Sequence, residues 1–80
     1  MLINMSEMQL SDEAEIIGFD VPGAADRQKL FACGLIPGAI VSMVHIAPLG
    51  DPVQIQLNGD ILLSIRKSEA SYVKVDCINR

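Results

Sequence analysis

Strict two-residue alternation marks the second half of the chain. Val53, Ile55 and Leu57 alternate with Gln54 and Gln56, and Val73, Val75 and Cys77 alternate with Tyr72, Lys74 and Asp76. A pleated strand sends successive side chains to opposite faces, so each run predicts a strand with one buried face. Asn58-Gly59 follows the first of these runs and is a strong short hairpin signal, because a type I′ turn needs positive φ at both central residues. The return strand over residues 60–66 then sets Ile61, Leu63 and Ile65 on one face. Residues 67–71 leave room for a single helical or 3₁₀ turn before the last strand.

The first half is less periodic. After a polar lead-in over residues 1–13, residues 14–19 form a short β-like run with Gly18 inside it, where a strand bends or bulges. Val21-Pro22-Gly23 breaks that run, and residues 24–33 are rich in helix formers, with Asp26 in the first turn where an acid complements the helix dipole. Gly34 is placed to end the helix. Leu35 then sits over Leu30 in a Schellman ending, and Pro37-Gly38 blocks continuation. Residues 40–46 are β-branched and apolar on both faces, as for a strand covered on one side by that helix. The stretch 47–52, Ala-Pro-Leu-Gly-Asp-Pro, loses two backbone donors and fixes two φ angles, which predicts a rigid surface turn. Asp51, between Gly50 and Pro52, reads as a turn residue bonding nearby backbone.

Five short strands, one helix after the first strand, a tight hairpin and a single turn before the last strand describe a mainly β, small, partly open barrel of SH3-like type. A five-stranded OB-fold is the near neighbour, but its helix usually lies between strands three and four, where this chain has only Asn58-Gly59. Eighty residues make one domain, 1–80, with room for a single core. Half of the residues are hydrophobic and only 4% aromatic, so the core is aliphatic and an aromatic-lined ligand groove is not expected.

The formal charge of −4, from ten acids against six bases, argues against nucleic acid as a partner. Two short basic pairs, Arg27/Lys29 and Arg66/Lys67, remain available to an acidic protein surface. Residues 1–10 have no basic n-region and no sustained apolar stretch, so no secretory signal is expected. Cys33 and Cys77 lie far apart and outside any Cys-x-x-Cys pair, in keeping with a cytoplasmic protein and reduced thiols. The uncharged stretch 30–50 carries Gly34, Pro37, Gly38, His45 and Pro48 and is not read as a membrane span.

Candidate chemistry is sparse. His45, Cys33 and Cys77 form no close ligand pair, so no metal site is expected, and Cys77 alternates with core valines as a small hydrophobe. A lone histidine does not assemble a nucleophilic centre, and no phosphate-binding glycine loop is present. Neither an enzyme nor a bound cofactor is expected. What remains is a surface for a partner: the turn with Pro48, Leu49 and Asp51, the helix face with Arg27 and Lys29, and the exposed side of Arg66 and Lys67.

Taken in order, Arg27-Gln28-Lys29-Leu30, Gly34-Leu35, Pro37-Gly38, the stretch 47–52 with Val53-Gln54-Ile55, and residues 62–70 closely resemble the ferrous iron transport protein A (FeoA) family. The resemblance runs from about Gly18 to Val75; residues 1–13 match no motif, and Ile65 stands where the family often has leucine. It implies a small cytosolic SH3-like protein that assists the FeoB ferrous iron transporter, a membrane protein with a GTP-hydrolysing domain. The chain would then meet the membrane only through that partner. An activating arginine finger would have to come from Arg27 or Arg66. The same fold occurs as the regulatory module of iron-dependent repressors, but the chain holds no basic helix-turn-helix segment. A third reading is a generic interaction module for a cytosolic protein.

Overall fold

The structure, a computed structural model, describes residues 1–79. Its strands are β1 (Leu2–Asn4), β2 (Glu13–Phe19), β3 (Ile40–Ile46), β4 (Val53–Leu57), β5 (Ile61–Ile65) and β6 (Val73–Cys77), with helices α1 (Ala24–Ala32) and α2 (Lys67–Ala70). They form one antiparallel sheet in the order β1-β6-β2-β3-β4-β5. Register shifts between Ile16 and Gly18 on β2, and between Met43 and His45 on β3, mark bulges. Such bulges bend a strand and raise its twist, which curls this sheet toward a partly open barrel. Gly18 therefore sits at the irregularity its position in the sequence announces.

The alternating strands bury the faces their pattern assigns. Val53, Ile55, Leu57, Val73, Val75 and Cys77 all lie in the interior, together with Ile16, Val41 and Met43 from the central strands. α1 ends in the predicted Schellman motif: the Leu35 N–H donates to the Leu30 carbonyl at 3.1 Å and the Gly34 N–H to that of Phe31 at 2.9 Å. Gly34 has φ of +93°, and a β-carbon there would come within 2.9 Å of Leu57 Cδ2. Only glycine meets both demands.

Four expectations need correction. The described residues form six strands rather than five, because residues 1–13 are built into the fold. β1 pairs with β6, Leu2 opposite Asp76 and Asn4 opposite Lys74, and a 3₁₀ turn over Met5–Glu7 carries Met5 into the core, where it is fully buried. A strand of only Leu2, Ile3 and Asn4 is too short to show helical or strand periodicity, so the pairing is decided by β6 and not by local sequence.

The hairpin keeps positive φ at both Asn58 and Gly59, and the Asp60 N–H closes the turn on the Leu57 carbonyl at 3.0 Å. The ladder, however, resumes at Leu57 opposite Ile61, so Asp60 belongs to the loop. Ile61, Leu63 and Ile65 do share one face, but burial is graded: Ile65 is buried, Leu63 half-buried and Ile61 exposed. β5 is an edge strand, and the core thins toward its start.

The helix does not cover β3. Leu30 is the one buried residue of α1, Phe31 leans on Phe19 with ring centroids 5.1 Å apart, and Val44 and His45 on β3 stay exposed. α1 lies at the margin of the barrel, leaving most of its surface to solvent. The fourth correction concerns Asp51 and belongs to the surface described next.

Candidate docking surface

The turn after β3 is closed from within. The Gly50 N–H donates to the Ala47 carbonyl at 2.7 Å, the Ala47 N–H to that of Pro52 at 3.2 Å, and the Asp51-Pro52 peptide is cis. These bonds leave Pro48 exposed and Leu49 at the tip with 94% of its surface open to solvent. Such exposure is costly for an isolated leucine only in the sense that nothing of its apolar area is used in folding.

Asp51 bonds distant rather than nearby backbone. Its Oδ1 accepts the Lys67 N–H at 2.9 Å, at the start of α2, where an acid complements the unpaired amides of the first turn. The Lys67 Nζ lies over Gly50, 3.8 Å from where a β-carbon would stand. Glu69 then joins α2 to the other helix: Oε1 accepts the Arg66 N–H at 3.2 Å, while Oε2 pairs with Lys29 Nζ at 3.3 Å.

Three contacts thus link Lys29, Glu69, Arg66, Lys67 and Asp51, from three separate segments, into a ridge, with Leu49 two residues before its Asp51 end. It carries three bases against two acids on a chain of net charge −4, and its side chains other than Glu69 are exposed. Arg27 falls elsewhere. Two residues before Lys29, it points to a different side of α1 and lines a shallow cleft with Val21, Pro22, Gly23 and Ala24. The basic pair Arg27/Lys29 is therefore divided, whereas Arg66 and Lys67 stay on the ridge.

Sequence reading missed Glu69 as the joint between the helices and Asp51 as the tie to α2. The first had a signal only for its tie to Arg66, since an acid three residues after Arg66 matches a capping-box acid at N3, and none for its reach to Lys29. The second had none, since Asp51 and Lys67 meet only through the β4–β5 hairpin.

Nothing on the ridge is a buried nucleophile or a buried titratable pair, so its chemistry is that of contact. Cys33 is exposed at the end of α1 and Cys77 is buried on β6, and His45 is exposed beside the β3 bulge. Among the described residues no group of three His, Cys, Asp or Glu side chains is placed to hold a metal ion.

A family model described as the FeoA domain matches residues 3–77, and so takes in Ile3 and Asn4 of the amino-terminal strand, which the sequence motifs alone did not reach. A curated relative is the Fe(2+) transport protein A/Fe(2+) transporter FeoB fusion protein of Porphyromonas gingivalis, 29% identical over 96% of this chain; the chain spans only 9% of that protein's length. Among solved structures, the FeoA of Stenotrophomonas maltophilia complexed with zinc, described as a procaryotic SH3 domain protein, superposes with a TM-score of 0.79 at 31% identity, covering 92% of this chain and 89% of that one. A manganese-dependent transcriptional repressor superposes with a TM-score of 0.88 over 96% of this chain and 37% of the repressor. Identity there is 5%, which shows a shared fold and nothing of function.

Proposed function

The chain belongs to the FeoA domain family, and we propose that it is a non-catalytic cytoplasmic accessory of a FeoB-type ferrous iron transporter, docking on the transporter's cytosolic part. The fold is the SH3-like barrel, and the iron-transport context comes with the family. The observation that carries the docking step is the fusion in Porphyromonas gingivalis, where a segment matching 96% of this chain is joined to a transporter in one polypeptide. Covalent joining holds the two parts at a high effective concentration, which favours a contact between them even where the surfaces themselves bind weakly.

The ridge supplies such a surface. Leu49 is a rigidly presented apolar tip able to enter a pocket that dries on contact, while Lys29, Arg66 and Lys67 set it toward an acidic partner. Pro48 and Asp51 act by holding the tip and α2 in place, and Arg27 contributes from the other side of α1. No helix among the described residues is long and apolar enough to cross a membrane; in this reading the chain meets the bilayer through its partner. The iron ion is the transporter's cargo in this reading and needs no site on the ridge.

The test is capture of a purified FeoB-type transporter in detergent by immobilised chain. Saturable capture that Leu49→Asp and Lys67→Glu weaken, with the fold preserved by circular dichroism, is the expected result. Equal capture by parent and both variants would remove the ridge from the proposal.

A further inference from the structure

The two edges of the sheet are not alike. β1 is three residues long and is capped by the amino terminus, whose ammonium pairs with Asp76 at 2.7 Å. β5 is the opposite. Its five residues, Ile-Leu-Leu-Ser-Ile, carry no charge, proline or bulge, and β4 is its one strand partner among the described residues. Natural sheets usually blunt an edge of this kind, because its unpaired N–H and C=O groups are a template for another strand.

The hydrogen-bonding direction along β5 follows from its neighbours. The Asn58 N–H donates to the Ile40 carbonyl, which makes Val41 and Leu57 a non-hydrogen-bonded pair, so Leu57 turns its own amide and carbonyl toward β5. Ile61, Leu63 and Ile65, opposite Leu57, Ile55 and Val53 without interruption, therefore use their backbone groups on β4. Leu62 and Ser64 aim theirs at the free edge. Both are exposed, as is Ile61.

We propose that β5 pairs antiparallel with β5 of a second copy of this chain, about a two-fold axis at Leu63, joining two six-stranded sheets into one. That register sets Leu62 opposite Ser64 of the other copy, the two residues whose backbone groups are free, and Ile61 opposite Ile65. It also brings Asp60, in the turn just before β5, toward Arg66 of the other copy, just after it, beyond both ends of the new ladder. Both side chains are exposed, and cross-strand partners of opposite charge attract.

Charge complementarity selects this register. Sliding by two residues in either direction keeps the hydrogen-bonding parity but separates Asp60 from Arg66, and with them both ion pairs. An unrelated strand would have no reason to match an acid at one end of β5 and a base at the other, whereas a two-fold axis guarantees the match. The half-buried Leu63 would then meet its own copy, extending the core across the edge where it is thinnest.

The experiment is sedimentation equilibrium on the full chain over a wide concentration range, combined with amide hydrogen exchange. A concentration-dependent dimer in which the Leu62 and Ser64 amides become protected is the expected result. Asp60→Arg and Arg66→Asp should each weaken the dimer about tenfold or more, because the axis repeats every pair and turns two attractions into two repulsions. The double variant Asp60→Arg/Arg66→Asp should recover the parent constant. Ser64→Pro, which removes an edge donor but no bond to β4, should give a monomer that melts near the parent temperature. A chain that stays monomeric at millimolar concentration, a dimer indifferent to the single reversals, or a double variant no better than either single one would overturn the pairing. So would protection of these amides only when a different protein is added.

Discussion

The carboxylate of Asp51 accepts the backbone N–H of Lys67 at 2.9 Å, and through that bond the turn after β3 and the short helix after β5 are held as one body. Asp51 is exposed, so its interaction with α2 competes with water and resembles a helix-capping contact in size. Asp51→Ala should cost about 1 kcal/mol, which for a domain of this size lowers the melting temperature by about 4–8 °C. Asp51→Asn keeps an acceptor oxygen and should recover part of that loss. Equal melting of Asp51→Ala and the parent would show the tie to be slack in solution.

The amino-terminal segment gives a sharper test of packing. Met5 is fully buried, so Met5→Ala should destabilise by about 2–5 kcal/mol, as should truncation of Leu30, Ile55 or Val75. Leu63, half-buried on the edge strand, should cost less than any of them. Denaturant titration of the five variants ranks them directly.

How far the fold could be read from the residues follows the range of the interactions concerned. β4, β6 and the Schellman end of α1 are fixed by period-two alternation or by one glycine, and these local signals appear in the structure where the sequence places them. β1 and Met5 depend on β6, some seventy positions away, and no window along the chain contains that information. The ridge behaves alike: Leu49 and the Arg66/Lys67 pair were legible as exposed, but the joints that gather them, Asp51 to Lys67 and Glu69 to Lys29, are tertiary. Pairing Arg27 with Lys29 failed for a geometric reason, since neighbours two apart on a helix point to different sides.

Two glycines with positive φ should respond differently to substitution. Around Gly59 a β-carbon would meet nothing within 4 Å, so Gly59→Ala pays only the left-handed backbone cost of about 1–2 kcal/mol. Gly34→Ala adds a 2.9 Å approach to Leu57 Cδ2 inside the core. Its melting temperature should fall further than that of Gly59→Ala, and the reverse order would place the strain in the hairpin.

The thiols should separate cleanly. Cys33 is exposed and Cys77 buried with its neighbours Val73 and Val75, and a thiol shielded from solvent reacts slowly whatever its intrinsic nucleophilicity. A colorimetric disulfide reagent should therefore modify Cys33 rapidly in the native protein and Cys77 only on unfolding. Rapid loss of both thiols in Cys33-intact native protein would mean that β6 opens readily beside β1.

The functional prediction turns on the ridge. Lys29→Glu and Leu49→Asp alter exposed side chains, so both variants should keep the parent far-UV dichroism; the Lys29 to Glu69 pair is solvent-accessible and such pairs contribute about 0–1 kcal/mol. Each should nevertheless impair ferrous iron uptake in cells that depend on this chain. Lys29→Glu does so by setting a repulsive charge where an acidic partner docks, and Leu49→Asp by placing a carboxylate in a contact that must lose its water. Arg27→Glu provides the comparison, because Arg27 lies off the ridge beside Val21 and Gly23. Its effect should be present but smaller than that of Lys29→Glu, since a charge on the far side of α1 acts on the partner through solvent, where salt screens it over about 8 Å. Raising ionic strength in a purified binding assay should then narrow the gap between Arg27→Glu and the parent more than the gap for Leu49→Asp, whose loss is one of desolvation. If Arg27→Glu proves the most damaging of the three, docking runs through the cleft beside α1 and the ridge built on Asp51 and Glu69 serves only to hold the fold.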